Sequence, residues 1–362
     1  MAVKAKVAVD VRALCVPTFG IGRYTRCILD RLIPGTPDVQ WFLYADRPVL
    51  QGYDHYNNVV TRQYRKANKI RSLLRTQFQF ARWAKADEVD VFWSPRHHLP
   101  FRLDSSIRSV VTVHDLVWQK YPETMMLANR LVEKLLMPPS LDRADKILCV
   151  SQSTADDVAS SFPANKSKIL VTLNAASAVD APVAPDIKSP YMLFVGTLEP
   201  RKNLLRILKA YSRVKPDLAE IRLVIVGAQG WMDDIRKHIA REGLTNTVDL
   251  QGHPGDDALH GFYQHALCLL SPSIYEGFGL PALEAMNYGV PVIGSNVSSL
   301  PEVIGKGGIL VDPESIDAIA MAMIKLCTDP DYRQTLSIEA KKQSKKFSWQ
   351  TTAQQTLKTL LN

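Results

Sequence analysis

No run of 18 apolar residues occurs anywhere in the 362-residue chain, so no segment of it is read as a membrane-spanning helix. Cysteine is scarce. Cys15, Cys27, Cys149, Cys268 and Cys327 form no CxxC pair and are odd in number, which argues against both a disulfide framework and a zinc cluster. Their neighbours, as in Ile147-Leu148-Cys149-Val150, are apolar and read as the surroundings of buried small hydrophobes. Low-complexity tracts and repeats of solenoid period are absent too. Carboxylates are missing from one long interval, between Asp54 and Asp87, while Arg62, Arg65, Lys66, Lys69, Arg71, Arg75, Arg82 and Lys85 fill it. The opening Val7-Ala8-Val9-Asp10-Val11-Arg12 is interrupted by charge, which suits a buried strand better than a signal peptide. A cytoplasmic protein is expected.

What is present is enough apolar sequence, 46% of residues, to bury the cores of about two ordinary domains. The net charge of +8 is unevenly placed. Residues 1–190 carry 26 Lys and Arg against 18 Asp and Glu, and the remaining 172 carry 18 of each. In the acid-free interval, Ile70, Leu73, Leu74, Gln77, Phe78 and Ala81 recur at helical spacing, with Phe80 and Trp83 nearby. Residues 62–85 therefore read either as a face lying on an anionic membrane surface or as a solvated helix packed on its own domain. No nucleic-acid partner is expected.

Strand-like and helix-like segments alternate from end to end, the pattern of parallel sheets covered by helices on both faces. In the first half the strands are expected at Val7 to Val11, Trp41 to Tyr44, Val89 to Trp93, Ser109 to Val113, Lys146 to Val150 and Lys168 to Thr172. In the second they are expected at Met192 to Val195, Arg222 to Val226, Val248 to Gln251, Leu267 to Leu270, Val292 to Gly294 and Gly308 to Val311. Between the series, Val179 to Pro190 holds three prolines and no periodicity, marking a linker. The expectation is two doubly wound domains, 1–180 and 191–346, joined by 181–190 and followed by a last helix in 347–362. Ligands in such sheets bind beyond the carboxyl ends of the strands, which suggests a cleft between two facing domains.

The loops expected there carry suitable chemistry. Thr18-Phe19-Gly20-Ile21-Gly22-Arg23-Tyr24 resembles part of a dinucleotide fingerprint, but it lacks the third glycine and begins well after its strand; it reads as a phosphate- or sugar-contacting loop or a structural turn. His114 and Asp115 end a strand, where an imidazole can hydrogen-bond a hydroxyl or carry a proton. His97 and His98 follow another strand end. Arg201 and Lys202 precede a helix and can neutralise a diphosphate, Arg through its planar fork and Lys as a point charge. Glu276 and Glu284 bracket Gly277-Phe278-Gly279-Leu280-Pro281, a glycine turn that opens a helix and aims N–H groups and a positive dipole end at whatever fills it. Asp329-Pro330-Asp331 reads as a proline turn, and no metal site is expected.

Asp10-x-Arg12, Gly20 to Tyr24, His114-Asp115, Ala144 to Ser151, Gly196 to Asn203 and Tyr275 to Glu284, with Gly289 to Val292 and Ser299 to Glu302 behind them, together resemble glycosyltransferase family 4, of GT-B fold, over nearly the whole chain. The resemblance implies a retaining hexosyl transfer from a nucleotide sugar without a metal or other cofactor. It places Arg201 and Lys202 on the diphosphate, and Gly277, Phe278, Gly279 and Leu280 beside the sugar. Glu276 falls on the sugar hydroxyls and Glu284 on the ribose. His114 is implied to reach the donor sugar, and Gly20, Gly22 and Arg23 the phosphates or the acceptor. Many relatives carry Arg where Thr197 stands, so Arg201 and Lys202 share that charge role. The wording Gly196 to Asn203 is similar to users of GDP-mannose, and the basic first half suits an oligosaccharide or lipid-linked saccharide acceptor in O-antigen or exopolysaccharide assembly, at the inner face of the cell membrane. A sugar-nucleotide epimerase and a non-catalytic sugar-nucleotide-binding protein are the other readings.

Overall fold

The computed structural model describes residues 3–16, 20–50, 52–64, 69–177, 179, 181–218, 220–228, 230 and 234–362, with the side chains of 69–75 outside that description. The chain divides into two compact units. One comprises Met1–Lys120, Leu127–Asn174 and Ser348–Asn362, and the other Tyr121–Met126 and Ala175–Phe347.

The first unit is built on seven strands, β1 (Ala5–Asp10), β2 (Val39–Ala45), β3 (Val59–Gln63), β4 (Val91–Ser94), β5 (Arg108–Val113), β6 (Lys146–Cys149) and β7 (Ile169–Val171), in the order β3-β2-β1-β4-β5-β6-β7. All neighbours are parallel. Its helices are α1 (Ile21–Gly35), α2 (Lys69–Ala86), α3 (Val117–Lys120), α4 (Leu127–Arg143) and α5 (Gln152–Ser161). The second unit has β8 (Tyr191–Val195), β9 (Arg222–Val226), β10 (Val248–Gly252), β11 (Cys268–Ser271), β12 (Val292–Ser295) and β13 (Gly308–Val311), again all parallel, in the order β10-β9-β8-β11-β12-β13. With them run α6 (Leu204–Val214), α7 (Ile235–Arg241), α8 (Asp256–His265), α9 (Leu280–Asn287), α10 (Leu300–Ile304), α11 (Ile316–Thr328) and α12 (Pro330–Ser344); α13 (Trp349–Leu361) belongs to the first unit.

Because helices cover both faces, the central strands are apolar at nearly every position rather than alternating. Val7, Ala8 and Val9 are fully buried, as are Leu223 and Val224 in the other sheet. Within the first unit α13 packs against α1, and Thr352 donates to the Leu173 carbonyl at 2.5 Å. All twelve expected strands occur, with ends moved by at most two residues.

Strand β3 was not expected. Its sequence, Val-Val-Thr-Arg-Gln, is half polar because it closes one edge of the sheet and is only partly buried. This changes the reading of the basic interval. Arg62 lies on β3 and forms an ion pair with Asp87, Arg65 and Lys66 fall outside the described residues, and helix α2 is described over Lys69–Ala86. On its C-terminal half Phe80, Ala81 and Ala84 are buried, while Phe78 is exposed. Residues 181–190 are the segment read as a linker. They lie within the second unit, where Val183 donates to the Asp257 carbonyl at 3.1 Å and a Cβ on Gly261 would fall 1.7 Å from the Val183 oxygen. Prolines removed periodicity there, not packing. Asp329 is a helix cap rather than a turn. It accepts from the Tyr332 N–H at 2.9 Å and starts α12 with Pro330 in its first turn.

Candidate active site

In doubly wound sheets the crevice for a ligand opens where the strand order reverses. In the second unit that point lies between β8 and β11, which are neighbours in the sheet. The loop after β8 carries Arg201 and Lys202, and the loop after β11 carries Glu276.

The two loops interlock. Ile274 donates its N–H to the Arg201 carbonyl at 2.8 Å. Asn203 stands in the left-handed region at φ 63°, and its amide donates to the carbonyls of Pro272 at 2.8 Å and Pro313 at 2.7 Å. The short turn Pro200–Lys202 is thereby fixed with both cations facing Glu276. Lys202 donates to Glu276 Oε1 at 2.5 Å and Arg201 to Oε2 at 3.0 Å; Ser273 adds a third bond to Oε1 at 2.8 Å. Arg201 also donates to Glu199 at 3.1 Å and to the Tyr275 carbonyl at 3.2 Å. Glu276 is only 7% and Lys202 9% exposed, so these are desolvated charges. Burial alone would raise the Glu276 carboxyl, but the Lys202 and Arg201 charges and the hydrogen bonds hold it down to about 2. Burial and the neighbouring Arg201 lower Lys202 despite its carboxylate partner. A carboxylate committed to three donors is a poor proton carrier near neutral pH.

After Glu276 the chain turns through Gly277 and Phe278, both buried, and Phe278 stacks edge-on against Phe347 with centroids 5.7 Å apart. Gly279 has φ 100°, and a Cβ there would lie 2.7 Å from the Leu300 side chain; both facts require glycine. Leu280 begins α9 with Pro281 in its first turn. Glu284, on the same helix, is 2% exposed and accepts from the Tyr263 hydroxyl at 2.8 Å.

The remaining candidates belong to the first unit, whose own reversal point lies between β1 and β4. After β1, the Asp10 carboxylate takes Arg12 through Nε at 2.9 Å and Nη2 at 2.6 Å. After β4, His97 Nδ1 and His98 Nε2 both contact the same oxygen of Glu133, from α4, at 3.1 and 3.0 Å. His97 Nε2 accepts the His114 N–H at 3.0 Å, and the His114 ring Nε2 donates to the Pro95 carbonyl at 2.8 Å, which leaves the lone pair on Nδ1. Burial and the nearby His97 push His114 down to about 3, so it is neutral at physiological pH. Gly20 caps α1 at φ 46°, Gly22 is buried and Arg23 half-buried in the first turn of that helix; Thr18 and Phe19 lie outside the described residues. Tyr24 follows, packing edge-on against His114 with centroids 4.9 Å apart.

The structure thus joins Arg201, Lys202 and Glu276 in one cluster and places His114 in another. Sequence reasoning missed Glu199, Ser273 and Asn203, although Glu199 and Asn203 stand in the motif around Arg201. It also missed Glu133 and Tyr24. No spacing signal marks a partner brought in from another strand.

Comparison with known proteins identifies the family and the fold. A family model described as "Glycosyl transferases group 1" matches residues 179–343, and one described as "Glycosyltransferase Family 4" matches 20–177. The chain is similar to an O-antigen chain mannosyltransferase B of Escherichia coli, 31% identical with 97% of this chain and 98% of that protein covered. Among solved structures it is similar to a sucrose-phosphate synthase from Thermosynechococcus elongatus, with a TM-score of 0.77 at 19% identity, covering 98% of this chain and 97% of that one. It is also similar to HepE of Anabaena, solved with UDP and glucose, with a TM-score of 0.73 at 16% identity, covering 98% and 99%.

Proposed function

The chain belongs to glycosyltransferase family 4 and has the GT-B fold, and from that premise we propose that it moves a mannosyl unit from GDP-mannose onto a saccharide acceptor in O-antigen assembly. The observation that carries the proposal is the Arg201–Glu276–Lys202 cluster at the reversal point of the second sheet. A buried lysine and a half-buried arginine in a fixed loop are preorganised for a leaving diphosphate, where charge develops in the transition state. The transfer proceeds without a metal. Glu276 positions the sugar, and Glu284 takes the ribose. His114, neutral and with its lone pair on Nδ1, serves as a hydrogen-bond acceptor for a sugar hydroxyl. The O-antigen and mannose assignments draw on the named activity of the E. coli relative, and a nucleotide donor agrees with HepE having been solved with UDP and glucose.

A thermal-shift panel of GDP-, UDP- and dTDP-sugars tests the donor, since a ligand at 100 times its dissociation constant stabilises by about 2.7 kcal/mol. GDP-mannose is expected to give the largest shift, and mannose transfer from it to a saccharide acceptor completes the test. A shift confined to UDP-sugars would replace the donor assignment. Release of a free sugar epimer without acceptor would replace the reaction.

The acceptor is lipid-linked and is met at the inner face of the membrane. Among the described residues no helix is long and apolar enough to span a bilayer, so contact would be peripheral. On α4, Leu127, Leu131 and Leu135 recur every four residues and are 77%, 54% and 60% exposed, with Arg130 and Lys134 beside them. A leucine stripe flanked by cations is the composition of an interfacial helix. It is the proposed membrane face, and the basic sequence 62–85 is proposed as a second membrane contact.

A further inference from the structure

Glu276 sits in a loop without a sheet or helix to satisfy its main chain, yet both of its backbone groups are bonded. Its N–H donates to Ser298 Oγ at 2.8 Å, and its carbonyl accepts from Ser298 Oγ at 2.6 Å and from Ser299 Oγ at 2.9 Å. Ser298 Oγ also accepts the Ser299 N–H at 2.6 Å. A hydroxyl has one proton and two lone pairs, so Ser298 is fully used.

Two further facts set these serines apart from ordinary loop residues. Ser298 holds φ 59°, a left-handed conformation that side chains other than glycine, Asn and Asp seldom adopt. Ser299 stands at the N-cap of α10 with Glu302 three positions on, the spacing of a capping box, yet its hydroxyl makes no cap bond and is spent on Glu276 instead. Ser299 is fully buried, so water cannot supply an alternative partner. Backbone strain and a forgone cap both converge on one residue's main chain.

We infer that Ser298 and Ser299 are positioning residues for the transfer reaction: they clamp the backbone of Glu276 and so hold its carboxylate between Arg201 and Lys202. This rests on the donor-site reading above, and it assigns a role to the Ser298-Ser299 pair that the loop's position alone does not suggest. The clamp works from the loop after β12 onto the loop after β11, and these are neighbouring strands of the same sheet, so the distance it fixes is set by the rigid part of the fold. Without it the Glu276 N–H and carbonyl would lose these partners in a buried loop, and the carboxylate would lose its register against the two cations.

Three variants separate positioning from simple stability. Ser298→Gly removes the hydroxyl but relieves the left-handed strain, so its melting temperature is expected to stay near that of the wild type. Ser299→Ala removes the second hydroxyl, and Ser299→Thr restores one. The turnover number with GDP-mannose is expected to fall on the order of 10- to 100-fold in Ser298→Gly and Ser299→Ala, with the KM for donor changed much less, and to recover in Ser299→Thr. A second measurement needs no substrate. Acetylation of Lys202 by N-hydroxysuccinimide acetate, read by peptide mass spectrometry, is expected to rise roughly tenfold in Ser298→Gly as the lysine leaves its carboxylate. Wild-type labelling of Lys202 in both Ser298→Gly and Ser299→Ala would overturn the clamp, whatever the substrate proves to be. Should the wild type fail to turn over GDP-mannose while the labelling rises, the donor assignment falls and the clamp stands.

Discussion

The two sheets reverse their strand order at corresponding places, and each puts a glutamate with two basic partners near that point, but the partners differ in kind. In the second unit Glu276 is held by an Arg and a Lys, bases whose ordinary values lie well above neutrality, although burial and Arg201 lower that of Lys202. In the first unit Glu133 is shared by His97 and His98, whose charge responds to small changes of environment. Burial and Glu133 pull these rings in opposite senses, His97 upward and His98 downward. The first arrangement is a fixed charge pattern, suited to a polyanion whose own charge does not vary. The second is a hydrogen-bond network suited to orienting hydroxyls. One architecture thus carries an Arg–Lys site and a histidine network, distinguished by which bases stand beside the acid.

The largest expected effect breaks the fixed-charge cluster at its centre. Glu276→Ala leaves Arg201 and Lys202 facing each other in a buried site, and removing one partner of a buried pair costs roughly 3–5 kcal/mol. Both the melting temperature and the turnover number should fall, the latter by about 100-fold or more. Glu276→Gln keeps the shape, and near-normal turnover in that variant would exclude any nucleophilic or general-base role.

Next comes the cation itself. Lys202→Met should weaken nucleoside diphosphate binding on the order of 10- to 100-fold by calorimetry, whereas Glu133→Gln should leave that affinity unchanged. Equal losses in the two variants would erase the contrast between the clusters.

The pH dependence sharpens the comparison further. Glu276 has a folded pKa of about 2, below the ordinary value near 4.5. Its contribution to stability is present above about 4.5 and is lost as the pH falls through about 2. His114 is held at about 3, below the ordinary 6.5. The unfolded chain therefore takes up this proton first, and stability falls as the pH drops from about 6.5 towards 3. Urea melts at pH 7, 6 and 5 should show a shallower decline in His114→Asn than in the wild type. Glu276→Gln should not alter the slope in that window.

The smallest effect on stability is expected at the surface. Leu131→Ser and Leu135→Ser should change stability by no more than about 0.5 kcal/mol while reducing sedimentation with anionic vesicles. Unchanged sedimentation of the double variant would remove α4 from the proposed membrane face.

Much of this molecule was legible in its sequence because the signals are local. Apolar runs such as Leu223 to Val226 mark buried parallel strands, and a glycine at 279 followed by proline at 281 marks a helix entrance. Strand β3 escaped because an edge strand with one half-open face can be built from Thr, Arg and Gln. The site was read unevenly for a related reason. Arg201, Lys202 and Glu276 were each recognisable as suited to a charged ligand, but nothing in the spacing says that they touch one another. Ser298 and Ser299 had only the appearance of a helix start.

By itself the sequence determined the alternation of strands and helices, the two-part organisation and the residue types carried by each loop, since all of these follow from periodicity and turn chemistry within a few tens of residues. Tertiary structure alone decided the pairings: Lys202 with Glu276 across 74 positions, His97 with Glu133 across 36, and Ser298 with the main chain 22 positions earlier. These depend on strand order and on the buried geometry that the order creates. A carboxylate exposed on a loop has water as its partner, whereas one carried into the fold must find its donors there, and where they come from is fixed only when the sheet closes its neighbours together.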